Sequence, residues 1–159
     1  MAGVEIDPVT GGPIVNENRE TEREGIFACG NVLHVHDLAD YVTEEGEIVG
    51  KAVSDYLFEK EKRRIQSVKI LPGENIGYVV PQHIDCIISN GERIKLFMRV
   101  KKPQESVRIN LSDEQGNILI SFKKKIVTPG EMVNLFLPEI LLQKQLKSLT
   151  VSVEKENKE

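Results

Sequence analysis

The sequence is poor in the residues that mark several large classes of protein. It has no tryptophan, and only 5% of its 159 residues are aromatic. Its two cysteines, Cys29 and Cys86, form neither a C-x-x-C pair nor a disulfide framework, so we expect a reducing, cytoplasmic location. No apolar run approaches the roughly 18 residues of a membrane span, and the first residues lack the basic-then-apolar pattern of a signal peptide. We therefore expect no association with membranes.

The charge of the chain is small overall but unevenly distributed. A formal net charge of −4 argues against the basic surface of a general nucleic-acid binder. Residues 1–65 carry 7 basic and 14 acidic side chains, whereas residues 66–159 carry 14 basic and 11 acidic ones. The apolar pattern changes at the same place, in the polar stretch 59–66. We therefore expect two domains, 1–65 and 66–159.

The second part has the period of two that is typical of half-buried strands. Two less regular apolar runs lie at 76–80 and 84–88, and turn signals such as Asn90-Gly91 separate the runs. The pattern predicts an antiparallel β-sandwich of seven or eight strands, with 138–146 as a short helix or an irregular crossover. Apolar and polar residues alternate in five runs, at 94–100, 107–111, 118–122, 133–137 and 149–153.

This second part offers little chemistry. His83 has no evident partner in the sequence, and Cys86 falls in an apolar run, which is typical of a small core residue. The lysines at 123–125 favour a solvated face, or else a surface for an acidic partner. From its residues alone, 66–159 is an interaction or structural module.

The first part predicts a hairpin, a strand and a helix. A glycine turn at Gly11-Gly12 divides the hairpin, and the apolar run 25–31 is typical of a buried strand whose end approaches a ligand. From Thr43, apolar residues spaced by four predict a helix with Thr43 as its N-cap. Strand, glycine turn and helix start together are how α/β folds bind phosphates and cofactors. The predicted fold class is α+β, an incomplete α/β segment followed by the β-sandwich.

The stretch TEREGIFACGNV, Thr21 to Val32, resembles the second FAD motif of the pyridine nucleotide-disulphide oxidoreductase superfamily. That motif has a threonine, a short spacer and then G-I-F-A-x-G-D-V, and a similar hairpin precedes it in the superfamily. The continuation from His34 to Gly46 resembles bacterial FAD-dependent NAD(P)-linked oxidoreductases associated with glycerol-3-phosphate-dehydrogenase-like flavoproteins. The resemblance covers about residues 3–60 of the chain.

The resemblance implies FAD as cofactor and NAD(P) as substrate. The motif's aspartate, which hydrogen-bonds the ribityl chain of FAD, is replaced here by Asn31, while Gly30 would let the backbone approach the cofactor. In the family, the N-terminus of the following helix points at the pyrimidine edge of the flavin, where negative charge collects on reduction. The implied FAD-binding positions are Gly30, Asn31, Val32, Tyr41, Val42 and Thr43, with the loop residues His34 and His36 near the flavin.

Several features of the family are missing from the sequence. It contains no G-x-G-x-x-G turn for FAD or the nicotinamide nucleotide, and no redox C-x-x-C or C-x4-C. We therefore expect the C-terminal portion of an oxidoreductase that passes hydride between NAD(P)H, FAD and an acceptor, inactive and without FAD on its own. The alternative is a non-catalytic β-sandwich module that assembles a flavoprotein complex. We expect the apolar edges of 1–65 to be covered by self-association, by the β-sandwich or by a partner flavoprotein subunit.

Other groupings in the first part favour structural roles. His34-x-His36-Asp37 has residue types that bind metals, but no third soft ligand clusters nearby in sequence, so no metal site is predicted. Glu44 and Glu45 do not form a catalytic pair, because neighbours in a helix do not face each other. Cys29 is expected to pack in the core.

Overall fold

The computed structural model describes residues 3–58, 63–87, 93–142 and 144–156. These residues form a mixed α+β fold that has one main helix and consists mostly of strands. The main helix, α1, spans Ala39–Leu57. The other elements are β1 Arg63–Pro72, β2 Ile76–Val80, β3 His83–Ile87, β4 Ile94–Val100, β5 Gln104–Ser112, β6 Ile118–Val127, β7 Val133–Leu137, the short helix α2 Glu139–Leu142 and β8 Ser148–Lys155.

The strands form a five-stranded and a three-stranded sheet. Their orders are β3-β1-β8-β5-β6 and β2-β4-β7. The three-stranded sheet is antiparallel, but β1 and β8 pair in parallel, so the five-stranded sheet is mixed. The prediction of an antiparallel arrangement is wrong at this pair. The parallel pair involves β1, a strand that the sequence analysis did not predict. The charged residues at the start of β1 hide the alternation of Val68 and Ile70, which are both buried.

The seven predicted apolar runs correspond to β2 through β8, and 138–146 contains the short helix α2. Residues 63–66 of the predicted joint belong to β1, and residues 59–62 lie outside the described part of the chain. The predicted Asn90-Gly91 turn and the side chain of Cys86 also lie outside it.

One hydrophobic core joins the two sheets. It contains buried residues from every strand, such as Ile70 of β1, Leu96 of β4 and Ile109 of β5. In β4 the alternating residues Leu96 and Met98 enter this core, yet Phe97 between them is also fully buried. Strand β4 is therefore covered on both faces.

Residues 3–58 provide the second cover. Lys95 Nζ of β4 lies 2.6 Å from Glu44 Oε2 of α1, and Asn134 Nδ2 of β7 donates to Tyr41 Oη at 3.0 Å. Asp37, just before α1, accepts from the Arg99 guanidinium of β4. The first part of the chain thus packs on the face of the three-stranded sheet that points away from the core.

Two predictions for the first part are wrong. The run 25–31 makes one isolated bridge, Phe27 to Glu20, instead of a buried strand, because among the described residues it pairs with the segment around Glu20 and with neither sheet. Helix α1 starts four residues before Thr43, with Leu38 at the N-cap, and the Thr43 hydroxyl donates to Ala39 O at 3.2 Å inside the helix. The contacts of Asp37 fix this earlier start. The predicted hairpin is present as a short turn with an Ile6–Pro13 bridge.

Candidate functional site

A 3-10 turn, Gly30–Val32, forms the end of the motif that resembles an FAD motif and leads toward α1. Gly30 has a φ of +69°, a conformation that L side chains rarely adopt, and its added Cβ would lie 3.3 Å from Val42 Cγ1. The turn and the first turn of α1 are therefore in contact. This brings Gly30 and Val42, two of the implied FAD-binding positions, close together.

The other implied positions are divided between solvent and the sheet. Asn31 is exposed, and its Oδ1 accepts the backbone N–H of His36 at 3.2 Å. Val32 is 64% exposed. Tyr41 turns toward the three-stranded sheet, where its ring centroid lies 5.5 Å from that of Phe97. Thr43 lies inside the helix, so the helix start falls at residues 39–42 rather than 41–43, and there the Tyr41 N–H already donates to Leu38 O at 3.2 Å.

The two loop histidines point inward. Their side chains are 1% and 0% exposed, and both Nε2 atoms face the carboxylate of Glu45. His34 Nε2 lies 3.3 Å from Oε1, and His36 Nε2 lies 3.0 Å from Oε2. In this structure neither ring is accessible to a bound flavin.

Glu45 is the centre of a buried polar cluster. Besides the two imidazoles, Oε1 accepts from Arg19 Nε at 3.0 Å and Oε2 accepts from the Gly30 backbone N–H at 2.9 Å. The side chains of Arg19 and Glu45 are 1% and 0% exposed. A single carboxylate thus joins the hairpin region, the 3-10 turn, the loop and the helix. We call Arg19, His34, His36 and Glu45 the Glu45 cluster.

Burial and charge act in opposite directions on the groups of this cluster. Burial alone would raise the pKa of Glu45, but the hydrogen bond from His34, the charge of Arg19 and the hydrogen bond from His36 lower it to about 2. Burial lowers the pKa of His34 and of Arg19, although Glu45 opposes both shifts. The cluster therefore holds an ionised Glu45 facing the Arg19 guanidinium and a neutral His34.

Aromatic rings enclose the cluster on the side of the sheet. Phe97 of β4 lies under both imidazoles, with centroid distances of 5.8 Å to His34 and 5.5 Å to His36. The Oη atom of Tyr78, in β2, lies 3.4 Å from His34 Nδ1. These rings exclude water and complete the link between the first part of the chain and the sheet.

The sequence analysis missed Arg19 and Glu45. A detectable signal existed for Glu45, because it lies three and seven residues before Ile48 and Ala52 on the apolar stripe of α1. A glutamate on a buried stripe needs a cationic partner. Arg19 gives no comparable signal, because it lies in the irregular segment before the motif.

His83 and Cys29 have ordinary surroundings. His83 Nε2 lies 3.3 Å from Asp85 Oδ2, and this hydrogen bond and charge outweigh burial to raise the pKa of His83. Cys29 is half-buried, and burial raises the pKa of its thiol. Neither residue has the features of a nucleophile.

No family model, curated protein or solved structure matches this chain. Within the residues that the structure describes, no helix has both the length and the apolar character needed to cross a membrane.

Proposed function

We propose that this chain is the C-terminal portion of an FAD-dependent oxidoreductase related to the pyridine nucleotide-disulphide family. The motif from Thr21 to Val32 carries this proposal. Its support in the structure is the contact between the 3-10 turn at the end of the motif and the first turn of α1, with Asn31 of the 3-10 turn exposed. Asn31 and the first helical residues, Ala39 and Asp40, are exposed, so a cofactor can reach them from solvent.

The distribution of exposed apolar side chains supports a missing cover on the first part. Fifteen large apolar residues are exposed in the described chain, and ten of them lie between residues 3 and 58. Val32, Val35 and Leu38, between 54% and 65% exposed, surround the 3-10 turn and the helix start. In our proposal the rest of an FAD-binding domain covers them.

The chemistry in the whole protein would be hydride transfer from NAD(P)H to FAD and then to an acceptor. FAD supplies the redox step, and this chain positions it. The Asn31 carboxamide offers both an acceptor and donors to a ribityl hydroxyl. The positive end of α1 favours the negative charge that collects on the pyrimidine ring of a reduced flavin. We further propose that the two sheets form a β-sandwich that supports the helix from the opposite side.

The test is FAD binding to the polypeptide translated from the complete reading frame that contains this chain. We expect Asn31→Ala to weaken FAD binding about tenfold, the loss of one hydrogen bond worth roughly 1.4 kcal/mol. Asn117→Ala is the matched control, because Asn117 is an exposed asparagine in the distant 113–117 turn. Equal FAD affinity for both variants and the unaltered protein would contradict the proposed role of Asn31.

A further inference from the structure

The Glu45 cluster contains the donor set of a metal site. His34 and His36 come from the loop before α1, and Glu45 comes from its second turn. The ligand atoms that these three residues offer all lie within 4.8 Å of one another. Two imidazoles and one carboxylate are a set that binds zinc and similar ions in proteins.

The spacing of these atoms matches a coordination sphere. Zinc bonds to nitrogen and oxygen are about 2.0–2.2 Å long, so neighbouring ligands of a tetrahedral ion lie about 3.3 Å apart. The two distances from histidine Nε2 to Glu45 oxygen are 3.3 and 3.0 Å. Small side-chain shifts would therefore admit an ion between the three groups. Each neutral imidazole would then carry its proton on Nδ1 instead of Nε2.

The surroundings supply partners for the ligands. His34 Nδ1 lies 3.4 Å from Tyr78 Oη, which can accept a hydrogen bond from the Nδ1–H of a metal-bound imidazole. Arg19 Nε donates to Glu45 Oε1 and the Gly30 N–H donates to Oε2, so each oxygen keeps a second lone pair that can face the ion. Within the described residues, His36 Nδ1 and Arg19 Nη2 are buried without a hydrogen-bond partner. A bound ion would contact neither atom, because His36 would coordinate through Nε2 and Arg19 Nη2 is a donor, so these two atoms indicate a buried water beside the site.

The local charge tolerates a dication. The Arg19 guanidinium interacts electrostatically with Glu17 and Glu44 as well as with Glu45. Lys95 pairs with Glu44. With neutral histidines, these three carboxylates and two cations sum to one negative charge, and a divalent ion changes the sum to one positive charge. Arg19 therefore keeps other carboxylates nearby when Glu45 binds an ion.

We propose that His34, His36 and Glu45 bind a divalent transition-metal ion of the zinc class. The ion joins the loop to α1 and has a structural role that is independent of FAD. Because the ligands are fully buried, it enters when residues 30–38 open from the helix. A water molecule or another small donor completes the coordination.

The first test is titration of the metal-free chain with Zn²⁺ and Co²⁺, followed by calorimetry and by the visible absorption of Co²⁺. We expect one saturable site, and we expect His36→Asn to weaken binding by at least about 100-fold, since even outer-shell partners contribute 10–100-fold. His83→Asn is the matched control, because His83 pairs with Asp85 away from the cluster. Circular dichroism of each variant establishes that it is folded.

A second measurement needs no substitution. Nitrogen NMR of the unaltered chain should show Zn²⁺ coordination at the Nε2 atoms of His34 and His36, with no change at His83. Absence of saturable binding, equal weakening by His36→Asn and His83→Asn, or unchanged His34 and His36 signals would overturn the proposal. The Glu45 cluster would then be a buried ion network only.

Discussion

At the scale of single residues, Glu45 determines how the first part of the chain is held together. Its two oxygens accept from Arg19, from the Gly30 backbone and from two imidazoles, all away from water. Removing one partner of a buried ion pair leaves the other charge uncompensated. The stability of residues 3–58 should therefore depend strongly on this one carboxylate.

We expect Glu45→Gln to lower the free energy of unfolding by about 3–5 kcal/mol, because the buried Arg19 loses the carboxylate to which it is hydrogen-bonded. Urea unfolding of the metal-free chain measures the change. Glu47→Gln, an exposed glutamate on the same helix, should change it by less than about 0.5 kcal/mol. A Glu45→Gln loss no larger than that of the control would contradict the central place given to this residue.

The cluster also predicts a loss of stability in acid. The pKa of His34 is lowered in the folded state, so its contribution is complete above the unfolded value and is lost as the pH falls below about 6.5. Glu45, with its pKa lowered to about 2, loses its contribution as the pH falls from 4.5 toward that value. His83 has a raised pKa and acts in the opposite direction, so the measurement uses the His83→Asn variant.

Urea midpoints of the metal-free His83→Asn protein should therefore fall between about pH 7.5 and pH 5.5, before the carboxylates titrate. A midpoint that is constant or rises over this range would show that His34 does not become harder to protonate on folding.

The sequence was sufficient to find the loop residues but not their orientation. Gly30, Asn31, His34 and His36 are recognisable from the motif and its continuation. Whether an imidazole in a loop faces solvent or the interior depends on what packs over it, and here that is Phe97 of a strand far along the chain. The inward position of both histidines could not be predicted from local pattern.

At the scale of elements, the start of α1 shows how a tertiary contact overrides a capping signal. Thr43 followed by glutamates is a good N-cap sequence, whereas the observed N-cap residue, Leu38, has no side chain that can cap. The helix starts early because Asp37 is held by Arg99 and by the Met132 backbone N–H. Local propensity predicted the helix and its apolar stripe, and only its first turn was wrong.

Substitution of Thr43 tests this helix start. Loss of an N-cap costs about 1 kcal/mol, but alanine inside a helix is favourable, so Thr43→Ala should leave stability unchanged or raise it. Asp37→Ala, which removes the contacts with Arg99 and Met132, should lower stability by more than about 1 kcal/mol. Chemical unfolding of both variants measures this, and the reverse order would place the start of the helix at Thr43.

The hairpin turn depends on a close backbone approach. A Cβ added to Gly12 would lie 2.1 Å from Leu33 O, just after the 3-10 turn. We expect Gly12→Ala to lower stability by about 1–3 kcal/mol through overpacking. Gly46→Ala is the matched control, because its Cβ would meet nothing within 4 Å and alanine is the better helix former. If thermal unfolding showed equal effects for the two variants, the hairpin would not be packed against Leu33.

At the scale of the whole molecule, the two parts share the three-stranded sheet. Its strands were predictable because one face has a regular apolar row. The second buried face was not, because Phe97 lies among Lys95 and Arg99 in a row that resembles a solvated one. Likewise β1 pairs with β8, nearly eighty residues later in the chain. Long-range pairing and shared faces are set by packing between segments rather than by local periodicity.

In our proposal, residues 3–58 belong to a flavin site that further sequence completes. The most direct measurement is the visible absorption spectrum of the polypeptide purified from the complete reading frame, with the flavin identified after release. We predict the bands of bound FAD in stoichiometric amount, and a G-x-G-x-x-G turn encoded before this chain. A colourless polypeptide that takes up no FAD at about 100 μM, a binding free energy weaker than roughly −5.5 kcal/mol, would contradict the claim.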